Sequence, residues 1–505
     1  MARVGWGTMF TRDELLAVAR VRPTGGVLPM RFAGAEVDSR RLQRGEVFVA
    51  LKGTQADGHR YIGAAVRAGA AAILCSAPSE EASARGVPQI IVADPLDILQ
   101  RLAHQHLMRQ PATRVIGVAG SNGKTSVKEA AAALLAHLGP TLKTEGNLNT
   151  ETGLPMTLLR LNPEHQFAVL EMGAQRVGEV ALLCRIAPPQ IGVVTTVGPE
   201  HLEFFGSMEN VERAEGEIVA ALPAHGIAIL NEDDRAVRRM AKRTRAQVIT
   251  YGRRAEADVR AKRPKGETLL GLRFTLAYQG RAARAHLNIP GEHAVTTALA
   301  GAAVALACGM TVETAAAALS ELRPAKRRGE IKPGVNGATL VDDTYNANRQ
   351  SALAAIDLLR GAGLARGGRR WFVFGDMLEL GSYAGEEHAE VGKAAVGVID
   401  ELVLVGEETY ATAEAARKGG MKPEHIHYFA ASLTDQVGLT QAKLAAAQLV
   451  RERLRPGDLV LVKGSLGVGM DVIVSDLQER HSSAHARADI GARLRRLAQF
   501  GHSPT

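Results

Sequence analysis

Short, largely apolar runs recur along this chain and alternate with segments of helical periodicity. The runs stand at residues 115–119 (VIGVA), 167–170 (FAVL), 191–196 (IGVVTT), 338–341 (ATLV), 370–375 (RWFVFG), 401–406 (ELVLVG) and 457–464 (GDLVLVKG). A run that is apolar at nearly every position suits a parallel strand that is buried on both faces of its sheet. Such strands, separated by helices, predict βαβ units and therefore an α/β protein with mostly parallel sheets.

Two breaks in this pattern divide the chain into three predicted domains and a tail. The breaks fall at Arg109-Gln110-Pro111, just ahead of the first strongly apolar run, and at Arg323-Pro324. The last residues are polar and basic, which predicts a frayed helix or disorder. The predicted segments are an N-terminal domain 1–110, a central domain 111–322, a C-terminal domain 323–480 and a tail 481–505.

The composition is that of a globular protein, and it favours small anionic ligands over nucleic acid as binding partners. The chain has 505 residues, enough for about three domains, and 46% of them are hydrophobic. A formal net charge of +8 suits anionic ligands such as nucleotides. Aromatic residues make up only 4%, and no basic block carries interleaved aromatic residues that would stack bases. We therefore expect no nucleic-acid partner.

The cysteines and the apolar segments indicate a cytoplasmic protein. Cys75, Cys184 and Cys308 lie more than a hundred residues apart, without the spacing of a zinc site or a disulfide framework. No uninterrupted run of 18 or more apolar residues occurs, and charges stand where a signal peptide needs its apolar stretch. We therefore expect neither export nor insertion into a membrane.

The strongest chemical signal is a glycine-rich loop between the apolar run 115–119 and a helical pattern. The loop reads Gly120, Ser121, Asn122, Gly123, Lys124, Thr125, Ser126. Such a turn directs backbone N–H groups at phosphates, while the lysine contacts the phosphates and the threonine hydroxyl ligates Mg²⁺. The usual first glycine of this motif falls on Val118, so the loop is a variant. ATP or GTP binding is the favoured interpretation, and a solvated lysine on a structural turn is the alternative.

Polar side chains follow two further runs at the edge where ligands of open α/β sheets collect. Glu171 follows the run 167–170 and is a candidate Mg²⁺ ligand opposite Thr125. His201 follows the run 191–196. Each of the two residues, taken alone, is equally compatible with a polar residue that only satisfies the end of a strand.

With these motifs the chain resembles the Mur ligase family over roughly residues 30–475. The matching motifs are Asp38-Ser39-Arg40, GEVFVALKG (45–53), Asp57-Gly58-His59, GSNGKTS (120–126), GNLNTETGLP (146–155), EMGA (171–174), GPEHLEFFGS (198–207), DDTYNAN (342–348), GDMLELG (375–381) and KGS (463–465). The strings DDTYNAN and GDMLELG are similar to those of the family member that adds D-alanyl-D-alanine. The DNPR string of the member that adds the third amino acid is absent.

The resemblance implies a fold, an activity and its substrates. The implied fold is the three-domain Mur ligase architecture, with a P-loop ATPase sheet in the centre and a Rossmann-like C-terminal domain. The implied reaction joins D-alanyl-D-alanine to UDP-N-acetylmuramoyl-tripeptide at the expense of ATP and with Mg²⁺, giving the pentapeptide precursor of peptidoglycan. A monomer is the family expectation.

The resemblance also implies roles for individual residues. His201 would serve a second magnesium ion, and His293 would contact the adenine. The nucleotide and dipeptide pocket would be completed by Arg328, Asp343, Tyr345, Asn346 and Asn348. The UDP-linked substrate would be bound by Asp38, Ser39, Arg40, Lys52, Asp57, His59, Asn147, Asn149 and Thr150.

One departure from the family bears on the metal site. Most Mur ligases carry a lysine that is carbamoylated by CO₂ and supports the second magnesium, and the matching position here is Glu215. We infer that Glu215 supplies a carboxylate directly, without CO₂, although its stem is shorter. The alternative is a solvated helix residue.

Smaller departures keep other functions open. The asparagines of the family's adenine-binding pattern are missing from 291–297 (GEHAVTT), Arg349 stands for a proline, and Leu466 stands for an arginine. The alternatives are the third-residue-adding ligase, a folylpolyglutamate synthase-like ligase, and a non-catalytic nucleotide-binding relative. The N-terminal uridine-type motifs argue against the folate enzyme, and the intact loop with Glu171 and His201 argues against a non-catalytic protein.

Overall fold

The computed structural model describes residues 10–53, 56–266, 269 and 271–479. The predicted tail 481–505 lies outside the described residues. Within them, the strands form one two-stranded and three larger sheets, which follow one another along the chain. None of the helices in these ranges combines the length and the apolar character that a membrane crossing requires.

The N-terminal part contains a two-stranded antiparallel sheet and a four-stranded parallel sheet. Its strands are β1 (Phe10–Thr11), β2 (Arg31–Phe32), β3 (Ala35–Glu36), β4 (Val47–Val49), β5 (Ala72–Cys75) and β6 (Gln89–Ile91), and its helices are α1 (Arg12–Ala19), α2 (Ile62–Ala68), α3 (Glu80–Ala84) and α4 (Pro95–Met108). β1 and β2 pair antiparallel, whereas β3 to β6 lie side by side in chain order and are parallel. The carboxyl ends of β3, β4 and β5 therefore meet at one edge.

The central part contains the largest sheet. Its strands are β7 (Arg114–Ala119), β8 (Thr141–Lys143), β9 (Phe167–Glu171), β10 (Ile191–Val194), β11 (Ile227–Asn231), β12 (Gln247–Gly252), β13 (Val259–Lys265), β14 (Leu272–Tyr278) and β15 (Arg281–Leu287). Its helices are α5 (Lys124–Leu135), α6 (Gly153–Leu158), α7 (Glu179–Ile186), α8 (Leu202–Phe205), α9 (Met208–Glu215), α10 (Glu217–Ala220), α11 (Arg235–Arg239), α12 (His293–Ala307) and α13 (Val312–Ala318).

The order of strands in this sheet is β15-β14-β13-β12-β11-β10-β7-β9-β8. From β8 to β13 the strands are parallel, and β13, β14 and β15 are joined antiparallel. The strands β7, β9 and β10, which are neighbours, are the predicted apolar runs that lead into the glycine-rich loop, Glu171 and His201. The parallel sheet therefore brings these three segments to one edge.

The central sheet is covered by helices on both faces. On one face α5 and α12 pack so closely that a Cβ on Gly301 would lie 2.9 Å from the Cβ of Ala130. On the other face α7, α9 and α10 share one apolar cluster with α1 and α4 of the N-terminal part. The N-terminal and central parts are therefore joined by a common hydrophobic core.

The C-terminal part is a second open sheet. Its strands are β16 (Glu330–Pro333), β17 (Thr339–Asp343), β18 (Arg370–Gly375), β19 (Glu401–Val405), β20 (Ile426–Phe429) and β21 (Leu459–Lys463), and its helices are α14 (Arg349–Gly361), α15 (Ala384–Ala395), α16 (Thr409–Lys418), α17 (Gln436–Arg453) and α18 (Asp471–Leu477). The order is β16-β17-β21-β18-β19-β20, with only β16 antiparallel among these strands. Helices α14, α15 and α16 cover one face, and α17 and α18 cover the other.

Asp458, just before β21, is a buried anchor of this sheet. Its carboxylate is fully buried and accepts hydrogen bonds from the Arg369 guanidinium (2.8 Å), the Trp371 indole N–H (3.0 Å) and the Arg455 backbone N–H (3.1 Å). The carboxylate therefore ties β18 to the turn before β21.

We expect Asp458→Ala to destabilise the C-terminal sheet by about 3 kcal/mol, because it removes the buried carboxylate that accepts from the Arg369 guanidinium and leaves the Trp371 indole N–H without its acceptor. Urea unfolding followed by tryptophan fluorescence measures the change. Asp357→Ala, which removes an exposed carboxylate paired with Arg360, is the control and should have little effect. Equal unfolding midpoints for both variants would contradict the anchor role.

Candidate functional site

The glycine-rich loop connects β7 to α5 in a conformation that only glycine permits at one position. Gly120 has a φ of +121°, and a Cβ there would lie 2.1 Å from the Thr195 hydroxyl. The loop is held against the segment after β10, because the Ser121 N–H donates to the Thr196 carbonyl (2.8 Å) and the Gly198 N–H donates to the Ser121 hydroxyl (3.0 Å). Two adjacent strand ends therefore fix the loop that opens α5.

Lys124, the first residue of α5, is surrounded by oxygen atoms. Its Nζ donates to the carbonyls of Gly120 (2.6 Å) and Ser121 (3.1 Å) and to Glu200 Oε2 (3.2 Å). Burial lowers the pKa of Lys124, but the nearby carboxylates, Glu200 foremost, outweigh burial and hold this pKa above its ordinary value. The side chain is therefore a cation held in the loop.

Thr125 and Glu171 lie together, as their strand-end positions predict. The Thr125 hydroxyl donates to Glu171 Oε1 (3.2 Å), and the Asn149 amide donates to the same oxygen (2.9 Å). Glu171 is only 3% exposed, and its Oε2 has no hydrogen-bond partner among the described residues. The Lys128 ammonium lies 3.7 Å from that oxygen. A buried carboxylate oxygen without a partner is suited to a divalent cation.

The described residues contain no cluster of three or more His, Cys, Asp or Glu side chains placed to hold a metal ion. A magnesium ion in a nucleotide site is held by one or two protein oxygens together with substrate phosphates and water. Thr125 Oγ1 and the free Oε2 of Glu171 meet this requirement. The residues present therefore fit a magnesium ion that arrives with a nucleotide.

His201 lies at the boundary between the central and C-terminal parts. Its Nδ1 is hydrogen-bonded to Glu379, which follows β18, and its Nε2 lies 3.8 Å from Glu200 Oε1. Burial lowers the pKa of His201, but the hydrogen bond that its imidazole donates to Glu379 and the charge of Glu200 raise it above its ordinary value. In this arrangement the Nδ1 atom of the imidazole is already hydrogen-bonded to a carboxylate of the C-terminal part.

Glu215, at the end of α9, is not a solvated helix residue. Its side chain is 2% exposed, and its Oε2 accepts a hydrogen bond from the Gly120 N–H at 2.5 Å. Burial raises the pKa of Glu215 to about 7, against the opposing charge of Lys124. The carboxylate is therefore buried and hydrogen-bonded to the backbone of the loop.

Residues of the C-terminal part reach across to the loop. The Arg328 guanidinium donates to the Thr125 hydroxyl (3.0 Å) and stacks over the Tyr345 ring at 4.1 Å. The Asn348 side chain, which caps α14, is hydrogen-bonded to Asn122, and Asn122 also donates to Gln350 (2.8 Å). The loop is therefore contacted from both parts of the protein.

A cavity of about 1500 Å³ lies between the central and C-terminal parts. Most of the residues predicted for the nucleotide, the metal and the dipeptide line it: Ser121, Asn122, Gly123, Lys124, Thr125, Ser126, Glu171, His201, His293, Arg328, Asp343, Tyr345, Asn346 and Asn348. Three of the residues predicted for the UDP-linked substrate, Asn147, Asn149 and Thr150, line it as well. The described residues that line it do not include Gly120, the first residue of the loop, or Glu215, which is hydrogen-bonded to the Gly120 N–H. At the C-terminal edge, Lys463 donates to Asp343 (2.6 Å) and to the Asn346 carbonyl (2.9 Å).

The structure does not bring the predicted N-terminal residues to this cavity. None of these six residues is among the described residues that line the cavity: Asp38, Ser39, Arg40, Lys52, Asp57 and His59. They follow β3 and β4 at the carboxyl edge of the small parallel sheet. His59 Nδ1 donates to Asp57 (2.7 Å), and His59 Nε2 accepts from the Ser76 N–H after β5 (3.0 Å). The six residues therefore belong to a second location.

Several residues of the site were not predicted from the sequence, among them Glu200, Lys128 and Glu379. Glu200 directly precedes His201, Lys128 lies one helical turn after Lys124, and Glu379 belongs to the GDMLELG string. Adjacency in the sequence was a signal for the first two. Glu379 is brought to His201 only by the packing of two domains, for which the sequence carries no local signal.

Three family models match successive segments of the chain. The Mur ligase family catalytic domain matches residues 31–107, the Mur ligase middle domain matches 118–305, and the Mur ligase glutamate ligase domain matches 327–466.

Two curated relatives cover most of the chain, and both are named UDP-N-acetylmuramoyl-tripeptide--D-alanyl-D-alanine ligase. The protein of Mycobacterium tuberculosis (strain ATCC 25618 / H37Rv) is 38% identical over 91% of this chain and 96% of its own length. The protein of Escherichia coli (strain K12) is 36% identical over 88% of this chain and 93% of its own length.

Solved structures show the same relationship. MurF from Acinetobacter baumannii superposes with a TM-score of 0.81 at 29% identity, covering 94% of this chain and 100% of that chain. MurF ligase from Thermotoga maritima in complex with ADP gives a TM-score of 0.73 at 29% identity, with 88% and 96% covered. Mycobacterium tuberculosis folylpolyglutamate synthase, at 16% identity, a TM-score of 0.56 and coverage of 75% and 95%, shares the fold alone. The chain therefore belongs to the Mur ligase family and has the three-domain α/β fold of that family.

Proposed function

We propose that this Mur ligase joins D-alanyl-D-alanine to UDP-N-acetylmuramoyl-tripeptide with ATP and Mg²⁺, forming the UDP-linked pentapeptide precursor of peptidoglycan. One observation carries the proposal. A single cavity unites Lys124 and Glu171 of the central sheet with Arg328 and Asp343 of the C-terminal part. Relatives named for this reaction cover about nine tenths of the chain.

The chemistry explains why such a cavity is needed. A free carboxylate is a poor acceptor for an amine, because its leaving group would be oxide. In the proposed reaction a carboxylate oxygen of the tripeptide attacks the γ-phosphorus of ATP, the bond from phosphorus to the bridging oxygen breaks, and ADP leaves. The amine of D-alanyl-D-alanine then attacks the carbonyl carbon of this acyl phosphate, loses a proton and releases phosphate. Catalysis of phosphoryl transfer consists mainly of positioning and of neutralising charge.

The described residues supply both of these contributions. Lys124 and the backbone N–H groups at the start of α5 face the anionic phosphates. Thr125 and Glu171 would hold the magnesium ion, which when bound would neutralise charge on the phosphates. Arg328, which already contacts the Thr125 hydroxyl, adds a cation from the C-terminal part. The phosphates of the nucleotide would therefore be surrounded by Lys124, by the magnesium ligands Thr125 and Glu171, and by Arg328.

Domain contacts would supply the positioning. Bringing reactants together in the correct geometry is worth up to about 7–11 kcal/mol of the barrier. The contacts of Asn348 with Asn122 and of Glu379 with His201 hold the two parts around the cavity. The residues proposed for the nucleotide and the dipeptide all belong to one chain, which supports a monomer as the active form. The need for ATP supports a cytoplasmic reaction.

The decisive experiment measures phosphate release from ATP with UDP-N-acetylmuramoyl-tripeptide, with and without D-alanyl-D-alanine. Full turnover should require both substrates. Lys124→Ala should lower kcat by at least about 100-fold, the scale seen when a charge-stabilising donor is lost. The control is Lys418→Ala, which removes an exposed lysine of α16. Phosphate release that continues in Lys124→Ala, or that never responds to the two substrates, would overturn the proposal.

A second expectation concerns Glu215 as a built-in carboxylate in place of a carbamoylated lysine. The charges of Lys124 and His201, which favour the ionised carboxylate against the effect of burial, support this role. Activity of the unaltered protein should not depend on added bicarbonate, whereas Glu215→Gln, which removes the charge and keeps the shape, should lower kcat at least about tenfold. Turnover assayed in degassed, bicarbonate-free buffer and after bicarbonate is restored tests both statements. A clear bicarbonate requirement of the unaltered protein would contradict them.

A third expectation concerns the N-terminal location, which we assign to the UDP moiety of the substrate. His59 holds Asp57 and Ser76 in place at that edge. His59→Ala should raise the KM for the UDP-linked substrate about tenfold and leave kcat nearly unchanged, because it removes binding that is equal in the ground and transition states. Steady-state kinetics with D-alanyl-D-alanine held saturating separates the two constants. A loss confined to kcat would argue that His59 acts elsewhere.

A further inference from the structure

Lys124 has no free hydrogen-bond donor in the described arrangement. A lysine ammonium has three N–H bonds, and three acceptors stand within hydrogen-bond distance: the carbonyls of Gly120 and Ser121 and the Glu200 carboxylate. The two carbonyls belong to the loop itself. Glu200 is the one anionic acceptor of the three, and a phosphate that binds Lys124 must compete with it.

Backbone hydrogen bonds fix the segment that carries Glu200 next to the loop. The segment that carries it is hydrogen-bonded to the loop through Ser121, Thr196 and Gly198. The Glu200 side chain is 14% exposed and Lys124 is 12% exposed, so water screens the pair only partly. Like-charge repulsion between this carboxylate and an arriving phosphate is therefore substantial.

We propose that Glu200 is a positioning residue that occupies Lys124 in the nucleotide-free protein and opposes the binding of nucleotide without its metal ion. The inference rests on the nucleotide site proposed above. Once a phosphate engages Lys124, the displaced carboxylate has a hydrogen-bonding neighbour within reach, because His201 Nε2 lies 3.8 Å from Glu200 Oε1.

Magnesium enters this competition through charge. A nucleotide that carries Mg²⁺ brings less negative charge to the position beside Glu200 than the bare nucleotide does. Glu200 therefore penalises the bare nucleotide more than the magnesium complex. By linkage, the carboxylate should increase the factor by which Mg²⁺ tightens nucleotide binding.

The test is calorimetric titration of ADP into the full chain, with excess Mg²⁺ and with a chelator in its place. Glu200→Gln keeps the shape and removes the charge. It should tighten the metal-free Kd about tenfold, the scale of removing one like-charge contact at a partly buried site, and should change the Kd with Mg²⁺ much less. Glu209→Gln, which removes the charge of an exposed glutamate on α9, is the matched control and should change neither Kd.

A second readout separates electrostatics from altered folding. Because the competition is between charges, the difference in metal-free Kd between the unaltered protein and Glu200→Gln should shrink as salt is added. An unchanged or weaker metal-free Kd in Glu200→Gln, while the unaltered protein binds ADP, would overturn the role of Glu200 alone. Absence of ADP binding to all three proteins would instead overturn the proposed nucleotide site, and this inference with it.

Discussion

The balance of buried charge around Lys124 is the constraint on which the rest of the site depends. Glu171, Glu200 and Glu215 come from three segments of the central part and surround one lysine. Buried carboxylates are costly unless each has a partner. Each of them has one: Lys128 lies beside Glu171, the His201 imidazole lies beside Glu200, and the Gly120 N–H binds Glu215. Three carboxylates can therefore be buried around the loop, with Lys124 neutralising part of their charge.

The two sheets divide the work of the site differently. The central sheet places its groups at the ends of adjacent parallel strands, where the backbone leaves them little freedom. The C-terminal sheet instead contributes long polar side chains, such as Arg328 and Glu379, which reach across a gap. Contacts of this kind are broken and remade at lower cost than apolar packing. The arrangement suits a protein that must admit three substrates and then surround them.

The sequence predicted most of this structure where the signals are local, and less where they are not. The runs that became β7, β9 and β10 identified the loop, Glu171 and His201, because a parallel sheet brings consecutive strand ends to one edge. The family resemblance and the fold class are confirmed. Strands β13 to β15 were missed, since they mix polar and apolar positions and pair antiparallel. The solvated alternative for Glu215 was wrong, because the packing of α9 against the sheet, which no local pattern records, buries it.

The shared apolar core of the N-terminal and central parts has a mechanical consequence. Helix α4 packs against α6 and α7 of the central part, and one hydrophobic cluster contains residues of both. The C-terminal part has two hydrophobic clusters of its own. Among the described residues, Leu269 is the only buried member of these clusters that lies outside the C-terminal part. Sliding the N-terminal and central parts past each other would expose apolar side chains to water. Separating the C-terminal part from them would mainly replace polar contacts with contacts to water. Apolar packing therefore joins the N-terminal part to the central part, whereas the described contacts of the C-terminal part with the loop and with His201 are polar.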